Sequence, residues 1–280
     1  MNNSILSNRI LSLSESATLE MTRLSRELKS EGKDVIALSI GEPDFNTPQN
    51  VKDAGKLAID NNITHYPPVP GFLELREAIA AKLKRDNNLD YGPENIVVST
   101  GAKHSLINVF MCILNDGDEV IIPAPYWVSY PEMVGLAGGK SVVINTDIDS
   151  DFKIKPEDIE KAITTNTKAF LFNSPSNPTG SVYTYEELSE IAKVLVKYPD
   201  ILIIADEIYE YITFDSEHHS LGSFPELKDQ LVIVNGVSKG MAMTGWRVGY
   251  IAGPKFIASA CGKLQGQYTS GTGSISQMAA

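Results

Sequence analysis

Short, mainly apolar runs set the strongest constraint on how this chain can fold. They lie at 35–40, 95–99, 119–122, 141–144, 168–172, 201–205, 231–235 and 248–252. An apolar run of about four to eight residues between turn signals fits a strand covered on both faces. Stretches with helical spacing separate these runs, near 15–31, 48–60, 72–86, 102–115, 127–137, 156–163, 184–197 and 255–270. The alternation predicts an α/β fold, a mainly parallel central sheet sandwiched by helices. The clearest helix is 184–197. Thr184 followed three residues on by Glu187 makes a capping box, and Leu188, Ile191, Ala192 and Leu195 share one apolar face.

In such sheets ligands gather at the carboxyl ends of the strands, so the residues that follow each run are the candidates. In LVIVNGVSKGMAMTGWRVGY (231–250), Lys239 sits in a glycine-rich stretch beside a buried strand. A lysine there suits a Schiff base with an aldehyde cofactor, and it also suits an ordinary solvated turn. In ILIIADEIYEYITF (201–214), five apolar residues lead straight into Asp206. Asp206 can keep a pyridine nitrogen protonated, or cap a following helix; a magnesium-binding role lacks its phosphate-binding loop. In IVVSTGAKHSLINVFMCIL (96–114), a strand passes through Ser99, Thr100, Gly101 and Ala102 into an amphipathic helix. The helix N–H groups can bind a phosphate, although Ser99 or Thr100 can equally act as plain N-caps.

Arg247 offers a bidentate charged partner for the same phosphate, or a surface salt bridge. Trp127, in IIPAPYWVSYPEM, can lie flat on a cofactor ring or fill the core. Asn177, in FNSPSNPTGSVY, is a turn former that can also serve as a ligand. Tyr209, three residues after Asp206, can reach a phenolic oxygen of the cofactor. Lysine, carboxylate, phosphate donors and a flat partner are together what pyridoxal phosphate requires.

Seven motifs now stand in order: SIGEPDF (39–45), HYPPVPGFLELREAI (65–79), STGAKHSL (99–106), PYWVSYPEM (125–133), NSPSNPTG (173–180), DEIYEY (206–211) and VSKGMAMTGWRVGY (237–250). Their set resembles class I pyridoxal-phosphate-dependent aminotransferases, most of all the bacterial aspartate aminotransferases. The resemblance implies the fold-type I architecture of such transferases. It also implies transfer of the amino group of L-aspartate or glutamate to a 2-oxo acid such as 2-oxoglutarate, by a Schiff-base ping-pong mechanism. Transfer to prephenate, and a lyase or decarboxylase on the same fold, are the alternatives.

Carried over residue by residue, the resemblance makes Lys239 the Schiff-base lysine and general base. Asp206 partners the pyridine nitrogen, Tyr209 and Asn177 the phenolic oxygen, and Trp127 the ring face. Gly101, Ala102, Ser238 and Arg247 hold the phosphate, and Tyr66 reaches it from the second subunit of a homodimer. Gly41 offers its backbone to the substrate carboxylate. Lys103, beside the cofactor, and the turn Ser16-Ala17-Thr18 read the distal carboxylate.

The implied domains are an N-terminal arm and part of a small domain at 1–45, then a large cofactor domain at 46–280. Members of the family continue further and carry a late arginine for the substrate α-carboxylate. The last arginine here is Arg247, so the remainder of the small domain is expected beyond residue 280.

Composition narrows the rest. A net charge of −11 argues against a nucleic-acid partner. Cys112 and Cys261 are too few for a disulfide framework and fit a reduced, cytoplasmic compartment. The four histidines show no metal-binding spacing, so no metal is expected. No apolar run is long enough to predict a membrane span. A nicotinamide-dependent dehydrogenase would need GxGxxG after its first strand, and the chain has none.

Overall fold

Successive residues of the central strands belong to two different cores. Ile121, Phe170, Phe172, Ile203, Ala205 and Ile233 pack into one apolar cluster, while Val120, Ile122, Ala169, Leu171, Ile204 and Val232 pack into the other. Strand side chains alternate between faces, so a sheet with helices on both sides must be apolar at every position, which is why its strands read as unbroken runs. The architecture is seen in a computed structural model that describes residues 5–15 and 17–280.

In chain order the elements begin with α1 (Asn8–Leu11), α2 (Ala17–Ser30), α3 (Gln49–Asp60), α4 (Leu73–Asn87), β1 (Ile96–Ser99) and α5 (Ala102–Ile113). They continue with β2 (Glu119–Ala124), α6 (Ser129–Leu136), β3 (Lys140–Asn145), α7 (Pro156–Ala162), β4 (Thr167–Asn173) and α8 (Tyr185–Leu195). The last are β5 (Leu202–Asp206), β6 (Leu231–Gly236), β7 (Gly249–Ala252), α9 (Lys255–Tyr268) and α10 (Ser274–Ala279). The seven strands lie in the order β1-β7-β6-β5-β4-β2-β3. Only β7 runs against its neighbours, pairing antiparallel with β1 and β6. The sheet is mixed but mainly parallel, as expected, with helices on both faces. Tyr130, Leu106 and Cys261 pack on one side, and Leu83, Ile159 and Leu188 on the other.

The sequence-predicted strand at 35–40 does not form. The backbone there is irregular, with Ile36 85% and Leu38 90% exposed. A strand exists only through its ladder, and β1 and β3 stand at the sheet edges without this segment. The capping box of α8 does form. Thr184 Oγ1 accepts from Glu187 N at 3.2 Å, and Glu187 Oε2 accepts from Thr184 N at 2.8 Å. Its four predicted core residues are all 1% exposed or less. No helix among the described residues is long and apolar enough to cross a membrane.

The pairing register brings one set of strand ends together. Asn173 faces Asp206, Asp206 faces Val234, and Gly236 and Ser99 both face Gly249. The carboxyl ends of β1, β4, β5 and β6 and the start of β7 therefore share one edge, and the Gly41 backbone stands against Lys239 there.

Truncating Ile204, fully buried in the central strand, to alanine is expected to lower the unfolding free energy by about 2–5 kcal/mol. Phe214→Ala, at a position 92% exposed, is expected to change it by less than about 0.5 kcal/mol. Urea denaturation of both variants checks the pair.

Candidate active site

The alternation that builds the two cores also aims Asp206. Leu202 and Ile204 face the layer that contains Tyr130, so Asp206, two positions on, faces it as well. Tyr130 Oη donates to Asp206 Oδ2 at 2.7 Å, and the Ile208 N–H donates to Oδ1 at 3.2 Å. Asp206 is 3% exposed and has no cationic partner within salt-bridge distance among the described residues. Burial raises its pKa to about 6; the bonds from Tyr130 and Ile208 oppose the shift and the Glu207 charge adds to it.

Lys239 lies three residues past β6, in a loop closed by the Ala242 N–H on the Lys239 carbonyl and the Met243 N–H on the Ser238 carbonyl. Its side chain is half-buried, and Nζ donates to the Gly41 carbonyl. Desolvation lowers its pKa below the usual lysine value, with Arg247 helping and Glu42 opposing. The Lys239 ammonium also sits 5.7 Å from the Tyr209 ring centre. Tyr209 Oη accepts from Asn177 Nδ2 at 3.1 Å. Burial raises the Tyr209 pKa, the nearby Asp206 adds to the rise, and the Asn177 bond opposes it.

The phosphate candidates converge where β1 meets α5. The N-cap of α5 is Gly101, at φ +86°, and no side chain caps the helix there. The N-cap alternative for Ser99 or Thr100 is therefore not what forms. Ser99 Oγ is bonded instead to Gln265 Oε1 at 2.7 Å. The first N–H groups of a helix have no carbonyl one turn earlier, so those of Ala102 and Lys103 remain available to a ligand. A Cβ at Gly101 would fall on the Arg247 guanidinium, so only glycine permits both this φ and this approach.

Arg247 itself sits at φ +58°, an uncommon conformation for a residue with a side chain. It donates from Nη1 to the Thr244 carbonyl at 2.7 Å and forms no salt bridge among the described residues. The surface salt-bridge alternative is not realised. Ser238 is buried.

Trp127 packs edge-on against Tyr130, ring centres 5.4 Å apart, and carries Lys103 Nζ over its face at 4.6 Å. Partial desolvation, then the Arg247 charge, lower the Lys103 pKa. Gly41 forms the opposite wall, where a Cβ would start 3.8 Å from Lys239 Nζ. Tyr66 is 93% exposed in the loop between α3 and α4. Thr18 lies in the first turn of α2, its carbonyl accepting from Thr22 Oγ1 at 2.7 Å. Neither joins the Lys239 cluster within this chain, and Ser16 lies outside the described residues.

Three contributors were not singled out from sequence. Tyr130 holds Asp206, and its spacing of three from Trp127 was the available signal. Asn173 donates to the Asp206 carbonyl at 2.8 Å and accepts from the Asn177 N–H at 2.8 Å. Thr47 fastens the Gly41 wall, donating to the Ala242 carbonyl at 2.6 Å and accepting from Trp246 Nε1 at 3.2 Å. The last two become visible only when loops distant in sequence meet.

A buried carboxylate without a cation, an amine of lowered pKa and a glycine cradle beside an arginine suit one kind of ligand. It has a cationic ring nitrogen, an aldehyde and a phosphate, and these residues fit it.

Comparisons with known proteins agree with the geometry. The aminotransferase class I and II family matches residues 33–280. The aspartate/prephenate aminotransferase of Nitrosomonas europaea is 50% identical over 277 residues, covering 98% of this chain and 70% of its own length. The aspartate aminotransferase of Bacillus subtilis is 50% identical with the same two coverages. The structure of the Thermus thermophilus aspartate aminotransferase with maleate superposes at a TM-score of 0.95. It is 44% identical and covers 98% of this chain, which spans 71% of that one.

The raised Asp206 pKa has a consequence for stability. A carboxyl that titrates near 6 when folded and at 3.8 otherwise binds its proton more tightly in the folded state, so its ionisation costs stability as pH rises through that window. Without added ligand, Asp206→Asn is therefore expected to be more stable than the native chain above pH 7, by roughly 3 kcal/mol. The advantage should fade towards pH 4, as denaturation at a series of pH values will show.

Proposed function

Because the chain belongs to the class I and II aminotransferase family, most like its bacterial aspartate aminotransferases, we propose that it moves the amino group of L-aspartate or glutamate to a 2-oxo acid. The cofactor of this reading is pyridoxal 5'-phosphate, which supplies, when bound, an aldehyde to carry the amino group and a ring to take up electrons from the substrate α-carbon. The observation that carries the reading is the meeting of Lys239, Asp206 and Tyr209 at one edge of the sheet, with Asp206 buried and lacking a cation.

Each residue acts through chemistry it already has. The lowered pKa of Lys239 enlarges the share of free amine, which acts first as nucleophile and then as the base that moves a proton at the substrate α-carbon. Asp206 would hold the pyridine nitrogen, whose positive charge would keep the carboxylate ionised at a position where burial alone resists it. Tyr209, oriented by Asn177, holds the phenolic oxygen. Trp127 would pack on the ring face.

Gly101, Ala102, Ser238 and Arg247 hold the phosphate by backbone and charge. Tyr66, exposed here, reaches the phosphate of the partner subunit in a homodimer. The Gly41 N–H meets the substrate carboxylate, since its carbonyl serves Lys239. Lys103 and Thr18 select a second carboxylate at the far end. Two free cysteines fit a reduced cytoplasm.

A second reading, transfer to prephenate, has support in the name of the Nitrosomonas europaea relative. It uses the same lysine and carboxylate, and differs only in what the distal pocket accepts.

The visible spectrum of the protein with pyridoxal phosphate is the test. A Schiff-base band that shifts on addition of L-aspartate, and is absent from Lys239→Ala, supports the reading; an unresponsive band refutes the transfer of its amino group. Asp206→Asn is expected to keep the band and slow the half-reaction by on the order of a hundredfold or more, the scale for loss of one preorganised electrostatic partner. Lys103→Ala is expected to lose aspartate more than alanine. Equal losses would mean that Lys103 supports the site without reading the substrate.

A further inference from the structure

The turn 206–211 sends side chains both ways. Asp206 and Tyr209 go to the cleft, towards Tyr130 and Asn177. Strand alternation puts Glu207 on the other face with Ile203 and Ala205, and there Glu207 and Glu210 meet α4. Both carboxylates are buried, 2% and 7% exposed. Asn87 Nδ2 donates to Glu207 Oε2 at 3.1 Å and to Glu210 Oε2 at 3.3 Å, and Ser220 Oγ donates to Glu207 Oε1 at 2.8 Å. Lys82 Nζ donates to Glu210 Oε2 and, at 2.6 Å, to Asn87 Oδ1. The His218 side chain is only 10% exposed, with Nε2 at 3.5 Å from Glu207 Oε2. Neither ring nitrogen makes a well-formed hydrogen bond among the described residues.

Charge decides what His218 is. Two carboxylates against one ammonium leave a buried negative charge, which is costly unless paired. A proton on the imidazole brings the group to zero. We infer that Lys82, Glu207, Glu210 and His218 form a charge-balanced anchor, His218 being the imidazolium, that positions Asp206 and Tyr209 from behind their turn. The positioning half rests on the roles proposed for those two residues; the charge half does not.

The groups around His218 agree. Burial alone favours the neutral ring, but Glu207 and Glu210 outweigh it against the opposition of Lys82, and the His218 pKa is raised. From α4, Asp86 is paired with Arg85, whose Nε lies 2.6 Å from Oδ1, and accepts from Tyr211 Oη at 2.7 Å, while Lys82 stands 5.4 Å from the Tyr211 ring centre. From β7, the buried Tyr250 has its pKa raised, by burial first and then by Glu210, Tyr211 and Glu207, so it stays neutral. Arg85 is spent on Asp86, so none of these supplies a further net positive charge.

The experiment compares the native chain, His218→Gln, Lys82→Arg and Lys82→Met. The imidazolium contribution is complete below the ordinary histidine pKa of about 6.5 and is lost as pH rises through the raised value. The melting-temperature gap between native protein and His218→Gln should therefore be widest near pH 6 and shrink towards pH 9, and the His218 ring proton should titrate in NMR above the ordinary value. A gap independent of pH, or titration at or below the ordinary value, overturns the inference. So does stabilisation of chelator-treated native protein, but not of His218→Gln, by added Zn²⁺, which would make the cluster a metal site.

For positioning, the holoenzymes of His218→Gln and Lys82→Met should lose roughly tenfold in kcat at unchanged KM, with Lys82→Arg largely retaining it. Lower melting temperatures with unchanged kcat would leave only a structural role and overturn the positioning claim. If the native holoenzyme transfers no amino group, the functional reading fails, while the titration and melting data still decide the anchor.

Discussion

A carboxylate buried at the end of a central strand is the constraint around which this molecule is arranged. Asp206 is carried out of water by β5, whose flanking strands are apolar on both faces, and two hydrogen bonds only partly compensate its burial. Burial of an unpaired charge is unfavourable and calls for a cation. The cleft beside Asp206 contains the residues expected to bring a cationic ring there.

The rest of the cleft is built by stapling loops to that strand end. Asn173 at the end of β4 ties Asp206 to the Asn177 turn, and through it to Tyr209. Thr47 and Glu42 tie the Gly41 wall to the 242–246 loop, and Lys239 reaches across to the Gly41 carbonyl. Arg247, in a left-handed conformation, brings its guanidinium against Gly101. Backbone strain of this kind persists where surrounding contacts over-determine it, and it clusters at functional sites.

Behind the turn, the polar group on α4 and at 218–220 mirrors the cleft in front. Within a few residues the chain serves two faces of the sheet, one with a carboxylate left unpaired by cations and one with carboxylates set beside Lys82 and His218. Strand alternation carried into the turn is enough to separate the two.

Much of this was legible in the sequence. Mainly apolar runs announce strands covered on both faces, and seven of the expected strands form; the segment 35–40 fails because hydrophobicity cannot supply a partner strand. Lys239, Asp206, Tyr209, Asn177, Trp127 and Gly101 could be marked because each follows a strand or opens a helix, which local pattern alone reveals. Tyr130, Asn173, Thr47 and the pairing of Glu207 with Asn87 and His218 were not legible. Their meaning depends on which face a side chain takes and on which distant segments meet there. The sequence by itself determined the order of elements and the chemistry available at strand ends. Only the tertiary structure decided which groups lost water and which found partners, because desolvation and pairing belong to the assembled sheet and not to any single segment.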